Sequence, residues 1–469
     1  MTPKSTIDQN SFVPWAEFLV RDNLPSLVLI CLAVWLHAVD SMIVATMLPS
    51  IVADIGGESL VSWSISLYEI ASVVAGAASA LLTMRFGLRL PLSLAAALFG
   101  VGCFISAGSP TMALFLIGRC LQGLGGGGLV AMAFVSVGAL FARRYTARAL
   151  AVLSAFWGIA AFLGPLIGGL FVGFSTWRWG YVFFGGQAVG LALWILIRPE
   201  QSAPISTEAM TFPMRRLALL CIAVLLISIG GIDVSALKTS LFVIAGLICI
   251  AAFLHLDGQA GPNRLLPLQP FNLQNTTGAA LLMIMSLAVA TVALTAFGPL
   301  LMTVIHGISA LTAGYLVACS SIGWTIAAVV VSGSPEKFDR LFIAMGIILV
   351  VLSIGGFVYA IPQGPVWLIA VFATLEGGGF GLAWTFILRR VTTLANPDEA
   401  QRIAGAMPTV QRLGYALGAA YIGIIANASG FAVADTAATM APVANAVFLA
   451  CFPFAALALV SMVRFVRSN

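Results

Sequence analysis

The sequence predicts an all-helical protein that crosses a lipid bilayer many times, and three observations carry that expectation. Of 469 residues, 61% are hydrophobic and only 8% are charged, where water-soluble domains carry about 25% charge. The mean hydropathy is +1.07. The few charges fall in short gaps between apolar runs of 18 or more residues, the length a helix needs to cross about 30 Å of hydrocarbon.

Fourteen such runs can be drawn in order, near 24–48, 60–83, 89–108, 111–140, 148–173, 179–197, 216–232, 238–256, 278–304, 309–332, 340–360, 365–388, 403–427 and 441–463. An even number places both termini on one side. Eighteen of the 22 basic residues then fall on that side, including Lys4, Arg21, Arg143, Arg144, Arg148 and Arg198. Only Arg178 and Lys238 fall opposite, so the excess of positive charge on cytoplasmic loops predicts cytoplasmic termini and a cytoplasmic (inner) membrane. This topology also accounts for the net charge of +5 without a nucleic-acid partner. No secretory signal is expected, because polar residues run to Asn10 and the charges of Glu17, Arg21 and Asp22 interrupt the stretch after it. Trp15 to Val20 is open to two readings, a short interfacial helix or a loose tail.

The organisation reads as a cytoplasmic tail (1–23), a six-helix bundle (24–198), a linker with two extra transmembrane helices (199–270), and a second six-helix bundle with a short tail (271–469). The polar, proline-bearing stretch 199–213 marks one boundary and 259–269 the other. Two six-span halves are the expected build of transporters made from internal repeats. The seven cysteines all lie in apolar segments without CxxC spacing, so neither a disulfide framework nor a metal site is expected.

Ionisable residues inside spans are expensive and mark function by default. Those residues are His37, Asp40, Glu69, Arg119, Glu376 and Arg412. Counted from Pro49, Asp40 lies about 13 Å below the outer surface, and Arg119, counted from Thr111, about 12 Å. Glu69 falls in the same slab. An acid, a base and a second acid at one level suggest a buried pair with a titratable neighbour. Glu376 and Arg412 share a level in the second half and suggest a second pair; a structural clamp is the alternative for both. His37, one turn inward of Asp40, is either a proton relay or a packing histidine. Trp35, Trp157, Trp324 and Trp384 can stack on a ligand or simply pack.

The run Gly158-Ile159-Ala160-Ala161-Phe162-Leu163-Gly164-Pro165-Leu166-Ile167-Gly168-Gly169 would break a soluble helix, but lipid tolerates it. On physics alone it is a seam where helices pack closely. Its pattern, G-x5-G-P-x-x-G-G on a fifth span, resembles the antiporter motif of the major facilitator superfamily. Asp40 to Pro49 resembles the first-span signature of that superfamily's 14-span drug:proton antiporters, departing at Met42 and Ala45. Arg119-Cys120-Leu121-Gln122-Gly123 is similar to the fourth-span R-x-x-Q-G, where the resemblance implies proton coupling for Arg119 and a cavity-wall role for Gln122. Arg85-Phe86-Gly87-Leu88-Arg89 resembles the family's loop motif, but Met84 stands where a latching aspartate is expected. The Gly125–Gly128 run is read as close helix packing, not a phosphate loop.

The resemblance implies a major facilitator fold and a proton-coupled exporter of amphipathic or lipophilic small molecules. Asp40, Glu69, Arg119 and Glu376 would couple protons, and His37, Gln122, Arg412, Trp35 and Trp384 would line the cavity. Arg85, Gly87, Arg89, Gly158, Gly164, Pro165, Gly168 and Gly169 would serve the conformational change. No cofactor is expected beyond the proton gradient, and the partners are substrate, protons and bilayer, with a monomer as the working unit. Alternatives are a dedicated exporter of an endogenous product such as a siderophore or lipid, a proton-coupled importer, or a non-transporting receptor or scaffold. No nucleotide-binding string or spaced nucleophile–base set points to an enzyme.

Overall fold

The computed structural model describes residues 15–19, 24–141, 145–197, 212–331, 334–394 and 397–467. Lys4, Arg21, Arg143, Arg144, Arg198 and most of the expected tail and first boundary stretch lie outside those residues. The elements are α1 (Trp15–Phe18), α2 (Leu24–Ile55), α3 (Trp63–Phe86), α4 (Arg89–Ala107), α5 (Met112–Leu140), α6 (Thr146–Phe174), α7 (Trp177–Ile197), α8 (Met214–Ile229), α9 (Ala236–Gly258), α10 (Thr276–His306), α11 (Ala310–Val331), α12 (Asp339–Gln363), α13 (Val366–Leu394), α14 (Pro397–Ala428), α15 (Ala437–Leu449) and α16 (Phe452–Arg467).

Helix is the only element that spans a bilayer while satisfying its own backbone, short of a closed barrel. Polar residues between the apolar runs cap the ends. The side chains of Thr111, Ser235, Asn275 and Thr436 accept from the first-turn N–H groups of α5, α9, α10 and α15. Gly87 closes α3 at φ +74°, ψ −176°, a backbone conformation nearly confined to glycine.

Among the described residues, twelve helices are long and apolar enough to cross a membrane. Two of the fourteen expected runs fall outside that set. α8 has only 16 residues, and α14 is diluted by Glu399, Arg402, Gln411 and Arg412. The last run breaks into α15 and α16, which together make one of the twelve. The cause is Pro453, which has no N–H to donate to the carbonyl of Leu449. Pro49 does not end its helix: α2 continues to Ile55. Asp40 is therefore deeper than its distance from Pro49 suggested, about 22 Å from the helix end.

In the first half, α2 packs on α5 and α6, α3 and α4 on α5, and α4 on α7. The glycine run lets these helices meet: a Cβ at Gly123 or Gly127 would strike the backbone of Tyr68 or Ser72 on α3, and one at Gly125 that of Phe99 on α4. In the second half α13 packs on α11 and α12, and α10 on α14 and α16. Helices α2 and α10 are buried along most of their length, whereas residues such as Phe174 and Leu237 face outward. The hairpin of α8 and α9 lies across the junction of α3 and α14.

The single turn of α1 is docked: Phe18 is buried with its ring 5.8 Å from those of Phe141 and Tyr145. The end of the bundle carrying Phe18 and Phe465 is here the terminal end, and the opposite one the distal end. At the distal end the halves are closed on each other. Asn427 donates to the carbonyls of Ser59 (2.9 Å) and Gly231 (2.7 Å), and Ser66 donates to that of Ala416 (3.1 Å).

Candidate functional site

The site grows from two positions on α5 one turn apart. Arg119 and Gln122 share a helix face, and that face meets Asp40 on α2. Arg119 Nη1 donates to Asp40 Oδ2 at 2.7 Å and to Gln122 Oε1 at 2.5 Å, while its Nε donates to the carbonyl of Ser64 at 3.3 Å. Gln122 in turn donates to Ser106 Oγ at 3.1 Å. The guanidinium sits over the ring of Tyr68, 4.4 Å from its centroid, an attractive arrangement for a cation. Asp40, Arg119 and Gln122 are 5%, 2% and 0% exposed, so this is a desolvated ion pair whose spare hydrogen-bonding capacity is largely used, as such burial requires. The expected pairing of Asp40 with Arg119 is thus what the fold builds.

Tyr68 passes the network onward. Its hydroxyl lies 2.7 Å from His37 Nδ1, and His37 Nε2 lies 3.0 Å from Arg412 Nη2. A guanidinium can only donate, so Nε2 accepts and a neutral His37 carries its proton on Nδ1, donating to Tyr68. Arg412 Nη1 also donates to Glu69 Oε2 at 3.2 Å. Gly126 makes room for this contact, since a Cβ there would lie 2.7 Å from the Tyr68 hydroxyl and 3.0 Å from His37 Nδ1. Trp157 covers His37 edge-on at 5.6 Å. A chain of contacts therefore runs from Asp40 to Arg412, hydrogen bonds joined by one cation–π contact at Tyr68, and its last member belongs to the other half.

The expected Glu376–Arg412 pair does not form. Arg412 reaches across the junction to α3 and α2, and Glu376 instead accepts from Ser320 Oγ at 3.2 Å on α11. Glu376 is 4% exposed and lies behind α11, because Gly377 brings α13 against the backbone of Ser320. The cavity-wall placement of Trp35 also needs correction: its indole donates to Gln187 of α7 at 3.2 Å, within the first half. Trp384 lies tilted against the stacked pair of Trp324 and Phe380 (centroids 6.1 Å from each) between α11 and α13.

The motif glycines of α6 form a packing seam. A Cβ at Gly164 or Gly168 would press on Met42 or Thr46 of α2, one at Gly169 on Leu311 of α11, and Gly158 faces Thr325 at 3.5 Å. Pro165 is absorbed without ending the helix. Two of those contacts cross between halves, so the seam and the motif are one feature. At the terminal end, Arg85 is exposed over the Phe86 ring, and Arg89 is half-buried.

Sequence reading missed Tyr68, Ser64 and Ser106. Tyr68 had a signal, a phenol beside Glu69 within an apolar span; the two serines had none, since serine is common in transmembrane helices.

A helical membrane protein whose two halves meet over a buried ion pair and a cross-junction arginine has the layout of a secondary transporter. The Major Facilitator Superfamily profile matches residues 30–419. The chain belongs to that superfamily, whose members are transporters and not enzymes. It is 28% identical over 435 residues to a probable multidrug-efflux transporter of Mycobacterium tuberculosis (strain ATCC 25618 / H37Rv), covering 88% of this chain and 89% of that one. It is 26% identical to the multidrug transporter protein MdtP of Bacillus subtilis (strain 168), covering 85% and 74%. In fold it is similar to a bacterial homolog of the human lysosomal transporter Spinster in an inward-facing, unoccupied conformation, with a TM-score of 0.66, 14% identity, and coverage of 95% and 96%.

Proposed function

We propose that the protein is a proton-coupled exporter of amphipathic or lipophilic small molecules, working by alternating access between two six-helix halves (24–198 and 271–469). In this reading α8 and α14 also cross the bilayer, giving fourteen spans with both termini in the cytoplasm of an inner membrane. The energy source is the proton gradient alone, and the working unit is a monomer. The efflux-pump names of the relatives support the direction and the substrate class.

One observation carries the coupling: the buried Asp40–Arg119 pair is joined through Tyr68 and His37 to Arg412 of the opposite half. A proton on Asp40 cancels the charge that holds Arg119. The guanidinium then relaxes toward Gln122 and the Ser64 carbonyl, and the Tyr68 ring beneath it carries the shift to His37. Arg412 loses its acceptor at Nε2, which weakens one of the contacts that hold the two halves together. Glu69 is the second proton carrier in this scheme, because neutralising it removes the remaining partner of Arg412. Substrate binding at the junction favours the opposite state, so proton and substrate compete through one two-state element.

The test is purified protein in liposomes with an imposed pH gradient and a pH-sensitive dye inside. A lipophilic cation such as tetraphenylphosphonium should drive proton flux through wild type and not through Asp40→Asn. Equal flux through both proteins would refute the coupling assignment.

A further inference from the structure

Between α3, α14 and the α8–α9 hairpin lies a cavity of about 200 Å³ that the polar network does not enter. Thr409 is the one polar side chain on its wall; the rest is aliphatic or aromatic, with Leu217, Phe253, Leu265 and Leu266 closing the hairpin side. Its position is set by two glycines. Gly76 stands seven residues after Glu69 on α3, and Gly405 seven residues before Arg412 on α14. Seven residues are two turns, so both glycines lie on the faces of that ion pair, about 10 Å toward the terminal end. A Cβ added at either would meet nothing within 4 Å. The facing glycines hold space open two turns to the terminal side of the Glu69–Arg412 contact.

The opposite wall is fixed rather than collapsible. Asp257, 2% exposed, accepts from Arg216 Nη1 at 2.5 Å and from the backbone N–H groups of Leu265 and Leu266, each at 2.9 Å. Arg216 also donates to the carbonyl of Asn263 at 2.9 Å. That buried node pins the two leucines against the cavity and ties α8 to α9.

We propose that this chamber, two helical turns to the terminal side of the Glu69–Arg412 pair and walled by the linking hairpin, is an apolar binding subsite, which takes a ring-sized or short alkyl group of an amphipathic ligand. The size fits, since an apolar cavity of roughly 150 Å³ binds benzene, and the exposed Gly405 leaves this chamber open on one side for entry. The Glu69–Arg412 pair, about 10 Å away, is within reach of the polar end of an elongated ligand, and the hairpin has a function as the chamber's lateral wall. The inference rests on the reading that this chain moves amphipathic molecules. The same chemistry is offered by a substrate's apolar part and by a lipid acyl chain.

Binding is tested without a pH gradient, so coupling can fail while the subsite stands. Protein in nanodiscs is titrated with the neutral fluorescent amine N-phenyl-1-naphthylamine against protein-free nanodiscs. Gly76→Leu and Gly405→Leu fill the chamber and should weaken saturable binding tenfold or more, with Gly76→Ala and Gly405→Ala intermediate. Gly190→Leu, also at an open position but on the outward face of α7, should bind as wild type. Native mass spectrometry separates the sources. A lipid adduct carried by wild type and lost in Gly76→Leu identifies an acyl chain, and weakened probe binding without any adduct identifies a substrate group. The proposal is overturned if wild type shows neither saturable binding nor an adduct, or if the leucine variants match wild type in both.

Discussion

The two halves of the molecule treat their buried acids differently. In the first half the buried ion pair is central, Asp40 with Arg119, and a second pair, Asp54 with Arg178, lies partly exposed at the distal end, while the terminal turn between α3 and α4 closes on the backbone of Gly87. In the second half the central acid, Glu376, meets Ser320 and no basic partner among the described residues, and an ion pair appears at the terminal turn instead. There Asp339 at the start of α12 accepts from Arg389 Nε at 3.1 Å, and Arg389 also donates to the carbonyl of Ser334 at 3.1 Å. The first half carries a buried ion pair at the centre, and the second contributes Arg412 to the network around it while keeping an ion pair at its own terminal turn.

The largest effect should come from deleting one side of the central pair. Arg119→Ala leaves Asp40 buried without its partner, which costs about 3–5 kcal/mol. Thermal unfolding in detergent should show it as the greatest loss among these variants. Adding Asp40→Asn to that variant should restore part of it, and a loss no greater than that of Arg412→Gln would erase the contrast between halves.

The terminal turns come next. Gly87→Ala forces a side chain into a backbone region nearly confined to glycine, at about 1–3 kcal/mol. Asp339→Asn removes a charge from the Arg389 contact, at about 1.5–3 kcal/mol before solvent at the partly exposed arginine reduces it. Both should lower the midpoint of thermal unfolding. If Gly87→Ala has no effect, the glycine is not what holds the first turn.

The smallest stability effect belongs to Arg412→Gln. Its side chain is 20% exposed and that of Glu69 17%, so partial solvent screening should keep the loss below the ~3–5 kcal/mol of the fully buried central pair. Its effect should appear in conformation. In a cysteine-depleted background, a thiol placed at Ser66 in the closed distal seam should react with maleimide several-fold faster once Arg412 is replaced. An unchanged rate would mean that the cross-junction contact does not help close that end.

Much of this was legible in the sequence because lipid leaves few options. Apolar runs had to be helices, and all fourteen expected runs coincide with helical segments. The central pair could be found from depth alone, since Asp40 and Arg119 stand on helices that face each other. The second pairing failed because depth gives a level along the membrane normal but no rotation about the helix axis. Glu376 is turned toward α11 and Arg412 toward α3, and hydropathy carries no signal for either angle. Trp35 was misplaced for the same reason. Pro49 was taken as the end of a span, but a transmembrane helix tolerates proline where its neighbours satisfy the freed carbonyl. The linking hairpin had no readable role, because the chamber it closes is lined by residues as far apart in the chain as Val73 and Leu413.

The central claim is that the responsive proton site lies in the first half, at Asp40, and not at the equally buried Glu376. The most direct measurement is proton release on substrate binding, read with a pH electrode on purified protein in weakly buffered detergent solution. Tetraphenylphosphonium added to wild type and to Glu376→Gln should release protons in both, and Asp40→Asn should release few or none. Release that survives in Asp40→Asn but disappears in Glu376→Gln would contradict the account and move the coupling site to the second half.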